Sequence, residues 1–349
     1  RQRQMCIRDR NDRFALCLPR EEFDEKRVAD SIKELQREFS GNSFHLHTYM
    51  GVYEIRDRDE AVSIMVDKAN IAADTIKNNY DCCVAYYDEH LLEISIEQRR
   101  LLGEFEPALQ NDEFVMYLQP QVKRDGAAKG AEALVRWVHP SRGILTPYAF
   151  IDILENAGLI YKLDLYIWEK AAQKLAEWKE KGYGSYHISV NISTKDFYII
   201  DIYETFTGLI NKYGIAASNL HLEITETTLM TDFEKNMNII HKLQGVGFRV
   251  EIDDFGSGYS SLNMLKDISA DVLKIDMGFL RKSENEVKGQ DILESIITLA
   301  GKIGMDVITE GVETKKQLDM LTMMGCHEFQ GYYFSKPVPV SEFEEKYLV

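Results

Sequence analysis

The chain has 349 residues, of which 45% are hydrophobic, and its formal net charge is −16. This length predicts about two domains, and the acidic charge excludes a general electrostatic attraction to nucleic-acid polymers. Every apolar run falls short of the roughly 20 residues that cross a bilayer, and the five cysteines form no C-x-x-C pair that would indicate a zinc knuckle or redox motif.

The first part of the chain has the pattern of a small α+β domain. Residues 1–10 fit no strand or helix that continues beyond residue 10, so we leave them unassigned, as a tag, linker or foreign remnant. A short apolar strand at 14–18 comes next. Helical periodicity over 22–39 and 61–76 alternates with strand patterns over 44–52 and 81–87. Residues 11–90 are therefore predicted to be a partial α+β domain that starts in mid-fold.

The second part of the chain alternates strands with helices to its end. A charged amphipathic helix at 91–109 is predicted to connect it to the first domain. Glycine follows four predicted helices, at 161–180, 202–213, 233–244 and 292–302, as is common at helix ends. Seven or eight strand–helix units indicate right-handed βαβ connections and parallel strands. Residues 110–349 are therefore predicted to form an α/β, TIM-like (β/α)8 barrel rather than an open sheet.

Acidic side chains stand at the ends of the apolar runs in this barrel. The runs include H-L-E-I-T-E at 221–226, V-E-I-D-D-F at 250–255 and V-I-T-E-G-V-E at 307–313. Because parallel barrel strands open at one common face, carboxylates at several strand ends are expected to meet at one mouth. The alternative is that each carboxylate caps a helix or solvates its own loop. The recurrence over many strands favours a shared site.

The candidate ligands are all oxygen donors, which favours Mg²⁺ or Mn²⁺. They are Glu132, Asn191, Glu223, Asp253 and Asp254. Two adjacent carboxylates suit one residue bridging two ions while its neighbour holds the second. Two such ions clamp the attacking and leaving oxygens of a phosphoryl displacement. In a chain this acidic, an anionic phosphate substrate requires bound cations to reverse the local field.

Two further strands carry candidate catalytic groups. Lys274 lies inside an apolar strand with Asp276 on the same face. It is either half of a structural ion pair or a lysine that orients an attacking water. Glu310 ends its strand before Gly311 and can hold the second metal, act as general base, or both.

Taken together, these residues resemble the EAL phosphodiesterases, which hydrolyse the bacterial second messenger cyclic di-GMP. The resemblance runs from about Phe114 to Phe343. Its motifs are Gln119-Pro120, Glu132-Ala133-Leu134 extended to E-A-L-V-R-W, D-D-F-G-S-G-Y-S-S-L at 253–262, Lys274-Ile275-Asp276, E-G-V-E at 310–313 and Gln330-Gly331-Tyr332. The resemblance implies a metal-dependent hydrolase that linearises cyclic di-GMP to pGpG. A non-catalytic cyclic di-GMP receptor that signals through the connecting helix is the alternative.

The resemblance also implies residue roles. Glu132, Asn191, Glu223 and Asp253 would hold the first metal, and Asp253, Asp254 and Glu310 the second. Lys274 would contact the nucleophilic water with support from Asp276, and Glu226 would brace the loop at 253–262. The residues implied to line the substrate groove are Gln119, Leu134, Arg136 and Gln330. A homodimer formed through the barrel is expected as well.

The first domain resembles the C-terminal half of a GGDEF domain, the diguanylate cyclase fold. Its sequence R-N-D-R-F at 10–14 agrees with the signature only at Asp12 and Phe14. Arg13 stands where a cyclase needs an acidic metal ligand, so the resemblance implies a truncated, degenerate domain without cyclase activity. We expect the segment to be cytoplasmic, and a membrane anchor upstream in a longer parent protein is compatible with this.

Overall fold

The structure is a computed structural model that describes residues 5–8, 13–39, 47–77, 79, 82–253, 255, 268–278 and 286–348. It divides into two compact units, Arg1–Gly103 and Glu104–Val349. No helix in these described ranges is long and apolar enough to cross a membrane.

The first unit combines short strands with two helices. Its elements are β1 (Met5–Arg8), β2 (Phe14–Cys17), α1 (Glu25–Phe39), β3 (Met50–Val52), α2 (Val62–Asp74) and β4 (Val84–Tyr86). Strands β3 and β4 pair in parallel. Gly51 lets β3 approach α2 closely, since a Cβ there would lie 1.9 Å from the carbonyl oxygen of Ala69. Of the predicted strand at 44–52, Met50–Val52 forms β3 and residues 47–49 precede it without strand structure. Residues 44–46 lie outside the described residues.

The sequence pattern left residues 1–10 unassigned, and the structure places a strand within them. Strand β1 pairs antiparallel with β2, with Met5 opposite Cys17 and Arg8 opposite Phe14. The backbone of this segment therefore belongs to a two-stranded antiparallel sheet. Apolar periodicity did not indicate this strand, because polar residues surround Met5–Arg8.

Helix α3 (Glu89–Gln110) contains the division between the two units and covers the predicted helix at 91–109. On the barrel side of the division it buries Phe105, whose ring meets that of Phe114 edge-on at 5.7 Å. Phe114 also packs against Trp137, with ring centroids 4.8 Å apart. This aromatic cluster fixes the end of α3 to the first two strands of the barrel.

Eight strands of the described chain close into a TIM-like barrel, as predicted. Around the barrel they are β5 (Phe114–Lys123), β6 (Ala128–His139), β8 (His187–Ile192), β9 (Leu220–Thr225), β10 (Arg249–Asp253), β11 (Val272–Asp276), β12 (Asp306–Glu310) and β13 (Glu328–Phe329). The contact between β5 and β6 closes the circle. Two short strands, β7 (Gly143–Leu145) and β14 (Val338–Pro339), extend β6 and β5 outside it.

The prediction of a wholly parallel barrel is wrong at β5, which runs antiparallel to both β6 and β13. The connection between β5 and β6 is a tight turn at 124–127, and only antiparallel strands can be joined by so short a link. Gly126 takes a left-handed conformation in this turn, with φ of 85°. From β6 to β13 the barrel strands pair in parallel.

Helices pack around the barrel between its strands. They are α4 (Ile151–Ala157), α5 (Ile160–Glu180), α6 (Asp196–Ile199), α7 (Ile202–Tyr213), α8 (Glu226–Thr231), α9 (Phe233–Val246), α10 (Glu286–Lys302), α11 (Lys315–Met323) and α12 (Val340–Tyr347). Helix α9 continues past Gly245, where the sequence predicted its end. Gly247 ends it instead, because this residue holds the left-handed backbone, with φ of 107°.

Candidate active site

The predicted site residues gather at the carboxyl side of the barrel. Asn191 lies near the end of β8 and Glu223 near the end of β9. Asp253 ends β10, and Glu310 ends β12. In the sheet register Asn191 lies opposite Glu223. Glu310 lies opposite Asp276 on β11. The alternation of side chains along each strand then turns these groups toward the barrel axis.

Lys274 lies at the centre of the group, with only 1% of its surface exposed. Its Nζ is 2.7 Å from Oε1 of Glu310 and 2.9 Å from Oε2 of Glu223. It is 3.4 Å from Oε2 of Glu132 and 3.5 Å from Oδ1 of Asp253. One buried ammonium therefore faces four carboxylates from four different strands.

The electrostatics of the group follow from burial and from an excess of negative charge. Burial and the Glu132 charge raise the pKa of Glu223 well above its usual range, against the opposing effect of Lys274. Burial likewise raises the pKa of Glu310 to about 8, although Lys274 opposes it. Burial alone would lower the pKa of Lys274, but the carboxylates of Asp253, Glu132, Glu223 and Glu310 raise it well above its usual range. The lysine stays charged, and protons are favoured on Glu223 and Glu310.

A chain of hydrogen bonds joins the carboxylate group to the predicted substrate residues. Glu132 accepts hydrogen bonds from Nδ2 of Asn191 at 3.1 Å and from Nε2 of Gln330 at 2.5 Å. Nε2 of Gln330 also lies 3.3 Å from Oε1 of Gln119. Gln119 and Gln330 are both buried. The structure thus brings together Glu132 and two of the four residues that the resemblance placed in the substrate groove.

The other two groove residues, Leu134 and Arg136, follow Glu132 at alternate positions of β6 and are half-buried. Leu134 lies opposite Tyr117 on β5. The guanidinium of Arg136 lies over the Tyr117 ring, 5.4 Å from its centroid. The alternation places all three side chains on one face of β6.

Two predicted site residues of the described chain, Asp276 and Glu226, are not part of the Lys274 group. Asp276 is exposed, accepts a hydrogen bond from the backbone N–H of Gly278 at 2.8 Å and makes no ion pair with Lys274 in the described structure. Glu226 is buried at the start of α8. Asp254, with the loop residues 256–262, lies outside the described residues, so the predicted bracing of that loop by Glu226 stays a prediction.

The carboxylate group fits divalent cations. Oε1 of Glu223 is buried and has no hydrogen-bond or ion-pair partner in the described structure. Oε2 of Glu223, Oδ1 of Asp253 and Oε1 of Glu310 are buried and have no partner there other than Lys274. If all four acids are ionised, Lys274 balances one negative charge and leaves three. Hard cations, which prefer oxygen ligands, would balance the remaining negative charge and coordinate the carboxylate oxygens that need partners.

The sequence reasoning missed a second polar layer inside the barrel, toward the amino ends of the strands. Its members are Gln121, His187, Ser189, His221 and Glu251, and all are buried. The signal was available, because His221 and Glu251 precede Glu223 and Asp253 by two residues. Residues two apart in a strand face the same side, so these groups also face inward.

Comparison with known proteins places this barrel in a family. Residues 103–337 match the family model of the EAL domain. The chain is 32% identical over 272 residues to the bifunctional diguanylate cyclase/cyclic di-GMP phosphodiesterase MucR of Pseudomonas aeruginosa, which covers 78% of this chain and 39% of MucR. It is 33% identical over 240 residues to the cyclic di-GMP phosphodiesterase PdeR of Escherichia coli, covering 69% of this chain and 36% of PdeR. The solved structure of the PaMucR phosphodiesterase in complex with c-di-GMP matches with a TM-score of 0.66 and 33% identity, over 70% of this chain and 99% of that one.

The fold and the site define a TIM-like barrel with an acidic centre on the carboxyl side of its strands. The chain belongs to the EAL domain family, the family of cyclic di-GMP phosphodiesterases. It spans less than half of the length of MucR and PdeR. The family match begins at residue 103, so the resemblance of the first unit to a GGDEF domain stays a prediction.

Proposed function

We propose that this chain hydrolyses cyclic di-GMP to linear pGpG with the help of two Mg²⁺ or Mn²⁺ ions. The observation that carries the proposal is the meeting of Glu132, Glu223, Asp253 and Glu310 around Lys274, within 2.7–3.5 Å of its Nζ. These are the acidic residues that the family resemblance carries over, and four strands of the barrel deliver them to one point.

The proposed ligands divide into two sets that share Asp253. Glu132, Asn191, Glu223 and Asp253 would hold the first ion, and Asp253, Asp254 and Glu310 the second. Bound ions supply positive charge that stabilises the phosphate oxygens in the transition state and favours deprotonation of water. The buried oxygens of Glu223, Asp253 and Glu310, which have no partner beyond Lys274 in the described structure, support this assignment.

The chain's own residues would orient the reactants and move the proton. Hydrolysis joins a water oxygen to phosphorus, breaks one P–O ester bond and leaves a hydroxyl on the released ribose oxygen. Lys274 offers an ammonium that holds the attacking water. Glu310, 2.7 Å from that ammonium, is placed to accept the water's proton. The same carboxyl group can serve as ligand and base because its two oxygens are separate sites.

The groove residues would hold the nucleotide beside this centre. Gln119 and Gln330 present side-chain amides next to Glu132, and amides can pair with the edges of a guanine base. Arg136 presents a guanidinium beside the Tyr117 ring, which suits a phosphate or a base. The proposal extends to the rest of the chain as a degenerate GGDEF-like first unit, a homodimer through the barrel and a cytoplasmic location.

The deciding experiment incubates the purified chain with cyclic di-GMP and Mg²⁺ or Mn²⁺ and separates the products by chromatography. We expect pGpG to accumulate. Asp306 provides a matched control for Glu310, because both lie on β12 and Asp306 is at the opposite, amino end, paired with Arg249. Asp306→Asn should keep turnover that Glu310→Gln loses. Tight binding without turnover by the unmodified chain would instead identify a cyclic di-GMP receptor.

A further inference from the structure

Three residues of metal-binding type meet in the second polar layer, toward the amino ends of the strands and outside the proposed active site. In the described part of the chain, His187, His221 and Glu251 are the only set of three or more His, Cys, Asp or Glu residues whose ligand atoms all lie within 4.8 Å of one another. Their exposed fractions are 8%, 4% and 0%. They come from three neighbouring strands, β8, β9 and β10, so the barrel itself holds them together.

The hydrogen bonds of the two imidazoles are those of metal-binding histidines. Nε2 of His221 lies 3.2 Å from the backbone carbonyl oxygen of Ser218, to which it must donate. Nε2 of His187 lies 2.7 Å from Oε1 of Gln121 and donates to it. Histidine ligands commonly donate one ring N–H to a carbonyl in this way, which leaves the other nitrogen for the metal. In both rings that nitrogen is Nδ1.

The carboxylate is also incompletely satisfied. Oε1 of Glu251 lies 2.5 Å from Nδ1 of His221 and 3.3 Å from the hydroxyl of Ser189. Oε2 of Glu251 is fully buried and has no hydrogen-bond partner. An unpaired carboxylate oxygen in a protein interior is costly, and a coordinated cation removes that cost.

We propose that Nδ1 of His187, Nδ1 of His221 and the Glu251 carboxylate form a structural site for a transition-metal dication, with Zn²⁺ as the best fit. Two nitrogens and one carboxylate suit zinc far better than magnesium, which prefers oxygen ligands only. Without the metal, a proton between Nδ1 of His221 and Oε1 of Glu251 takes its place. Metal binding therefore displaces this proton.

Binding requires one local change. The two imidazole rings stack face to face, with centroids 3.8 Å apart and an angle of 4° between their planes. A metal lies in the plane of each ring that binds it, so the rings must turn out of this stack to aim at one point. The His187 ring packs directly against Gly130, where a Cβ would lie 2.5 Å from it, so the ring must turn away from Gly130 to reach the metal. The ligand atoms must then close to about 3.4 Å from one another, the spacing in a tetrahedral site with bonds near 2.1 Å.

The site would fix the strands that carry the proposed active-site ligands. His221 and Glu251 each lie two residues before Glu223 and Asp253, about 6.6 Å along the strand. An ion here would tie β8, β9 and β10 together below the catalytic centre. The role is structural, because a buried site with its ligands on three strands has no groove for a substrate.

The test counts metal in the intact chain. The purified protein is stripped with chelator, dialysed against Zn²⁺ in the presence of excess Mg²⁺ to fill the oxygen-only centre, and analysed by elemental mass spectrometry. Titration with Co²⁺ adds a spectrum, because four-coordinate Co²⁺ absorbs strongly in the visible range and cysteine ligands add a separate near-ultraviolet band. His187→Gln and His221→Gln are the test variants. His139→Gln is the matched control, since His139 is also buried and pairs with Glu104 at 2.9 Å but has no second imidazole for a metal.

We expect about one Zn²⁺ per chain in the wild type and in His139→Gln. In the other two variants the affinity for Zn²⁺ should fall by more than roughly 100-fold, the upper range for residues that only hydrogen-bond to a metal ligand. Cobalt should give visible bands without the cysteine band. Should the test variants fail to fold, the cobalt spectrum of the wild type still decides between nitrogen–oxygen and sulfur ligands. A wild type that retains no Zn²⁺, or that binds it through sulfur, overturns the proposal, as does equal retention by all folded variants.

Discussion

Lys274 and Glu310 form the shortest of the four ion pairs in the acidic centre, with Nζ and Oε1 2.7 Å apart. They lie on neighbouring parallel strands, β11 and β12, and their side chains meet because both point into the barrel. The ammonium occupies the space between the carboxylates, where bound cations would add their charge. The protein without cations is therefore held together by one lysine that balances only part of the acidic charge.

Metal dependence is the first prediction. Chelation should abolish hydrolysis of cyclic di-GMP, and Mg²⁺ or Mn²⁺ should restore it, because four carboxylates share the single Lys274 ammonium and Oε1 of Glu223 has no partner in the described structure. Ca²⁺ should inhibit, since its longer bonds and looser coordination disturb the clamp on the phosphate. Product chromatography after each addition measures this. Full turnover in excess chelator would show that the two-metal assignment is wrong.

The second prediction concerns the carboxylates themselves. Glu132→Ala and Glu310→Gln should each lower kcat by roughly 10²–10⁴-fold, the range for loss of general-base help, and metal loss adds to it. The fold should survive, because these side chains belong to the open end of the barrel. Steady-state kinetics and circular dichroism measure the two effects. Either variant with more than about a tenth of wild-type turnover, a loss well below the lower limit of that range, would place catalysis on other residues.

The site could be predicted from sequence where it depends on local pattern. A short apolar run indicates a buried strand, and a carboxylate at its end lies at the carboxyl edge that parallel strands share. This is why Glu223, Asp253 and Glu310 were found. The ion pairs of Lys274 with four acids were not predicted. Their partners come from four strands, which barrel closure brings together and which spacing along the chain does not reveal.

The antiparallel β5 was missed although its signal was in the sequence. Asp125-Gly126 stands between two apolar runs, and Asp-Gly at such a place is a strong hairpin signal. The repeated strand–helix pattern of the rest of the barrel outweighed it. The cluster of His187, His221 and Glu251 in the second polar layer was missed because each residue alone is an ordinary buried polar group. Only the closed barrel brings the three together.

The third prediction is that Lys274 stabilises the metal-free protein. Lys274→Met removes the only ammonium among four carboxylates, and removing one partner of a buried ion pair costs about 3–5 kcal/mol. Urea unfolding in chelator at neutral pH measures the change. Lys170→Met is the control, because its partner Asp112 is exposed and such a surface pair contributes about 0–1 kcal/mol. Equal stability of both variants would mean that the acids are already neutralised by protons.

The fourth prediction is that the first unit makes no cyclic di-GMP. In the resemblance of the first unit to a GGDEF domain, Arg13 stands where a cyclase needs an acidic residue. Its guanidinium is paired with Asp74 at 3.0 Å. Incubation with GTP and Mg²⁺ in a Glu132→Ala background prevents destruction of any product. We expect no cyclic di-GMP by chromatography. Deleting residues 1–90 should leave the chemistry of the barrel in place, because every proposed ligand lies beyond that cut, and loss of all hydrolysis by the folded barrel would contradict this.

The fifth prediction concerns a pair of acids outside the barrel strands, the half-buried Asp164 in α5 and the buried Asp196 in α6. Burial raises the pKa of Asp164 well above its usual range, and the Asp196 charge raises it further. Burial also raises the pKa of Asp196 above its usual value. A raised pKa means that the folded state holds its proton while the unfolded chain releases it. The stability is therefore complete below the ordinary aspartate pKa of about 3.9 and falls as the pH rises toward the folded-state pKa.

Replacing one acid of this pair should remove that loss. Asp164→Asn keeps the shape of the side chain and cannot ionise. The variant should therefore be more stable than the wild type at pH 7, where the folded wild type must hold a proton that the unfolded chain releases. The advantage should shrink toward pH 3, where both acids of the wild type are protonated. Urea unfolding across this pH range measures the difference, with the exposed ion-pair residue Asp319 replaced by Asn as control. An Asp164→Asn variant that is less stable than the wild type at pH 7 would show that the Asp164 carboxylate is ionised in the folded protein and held by a cation.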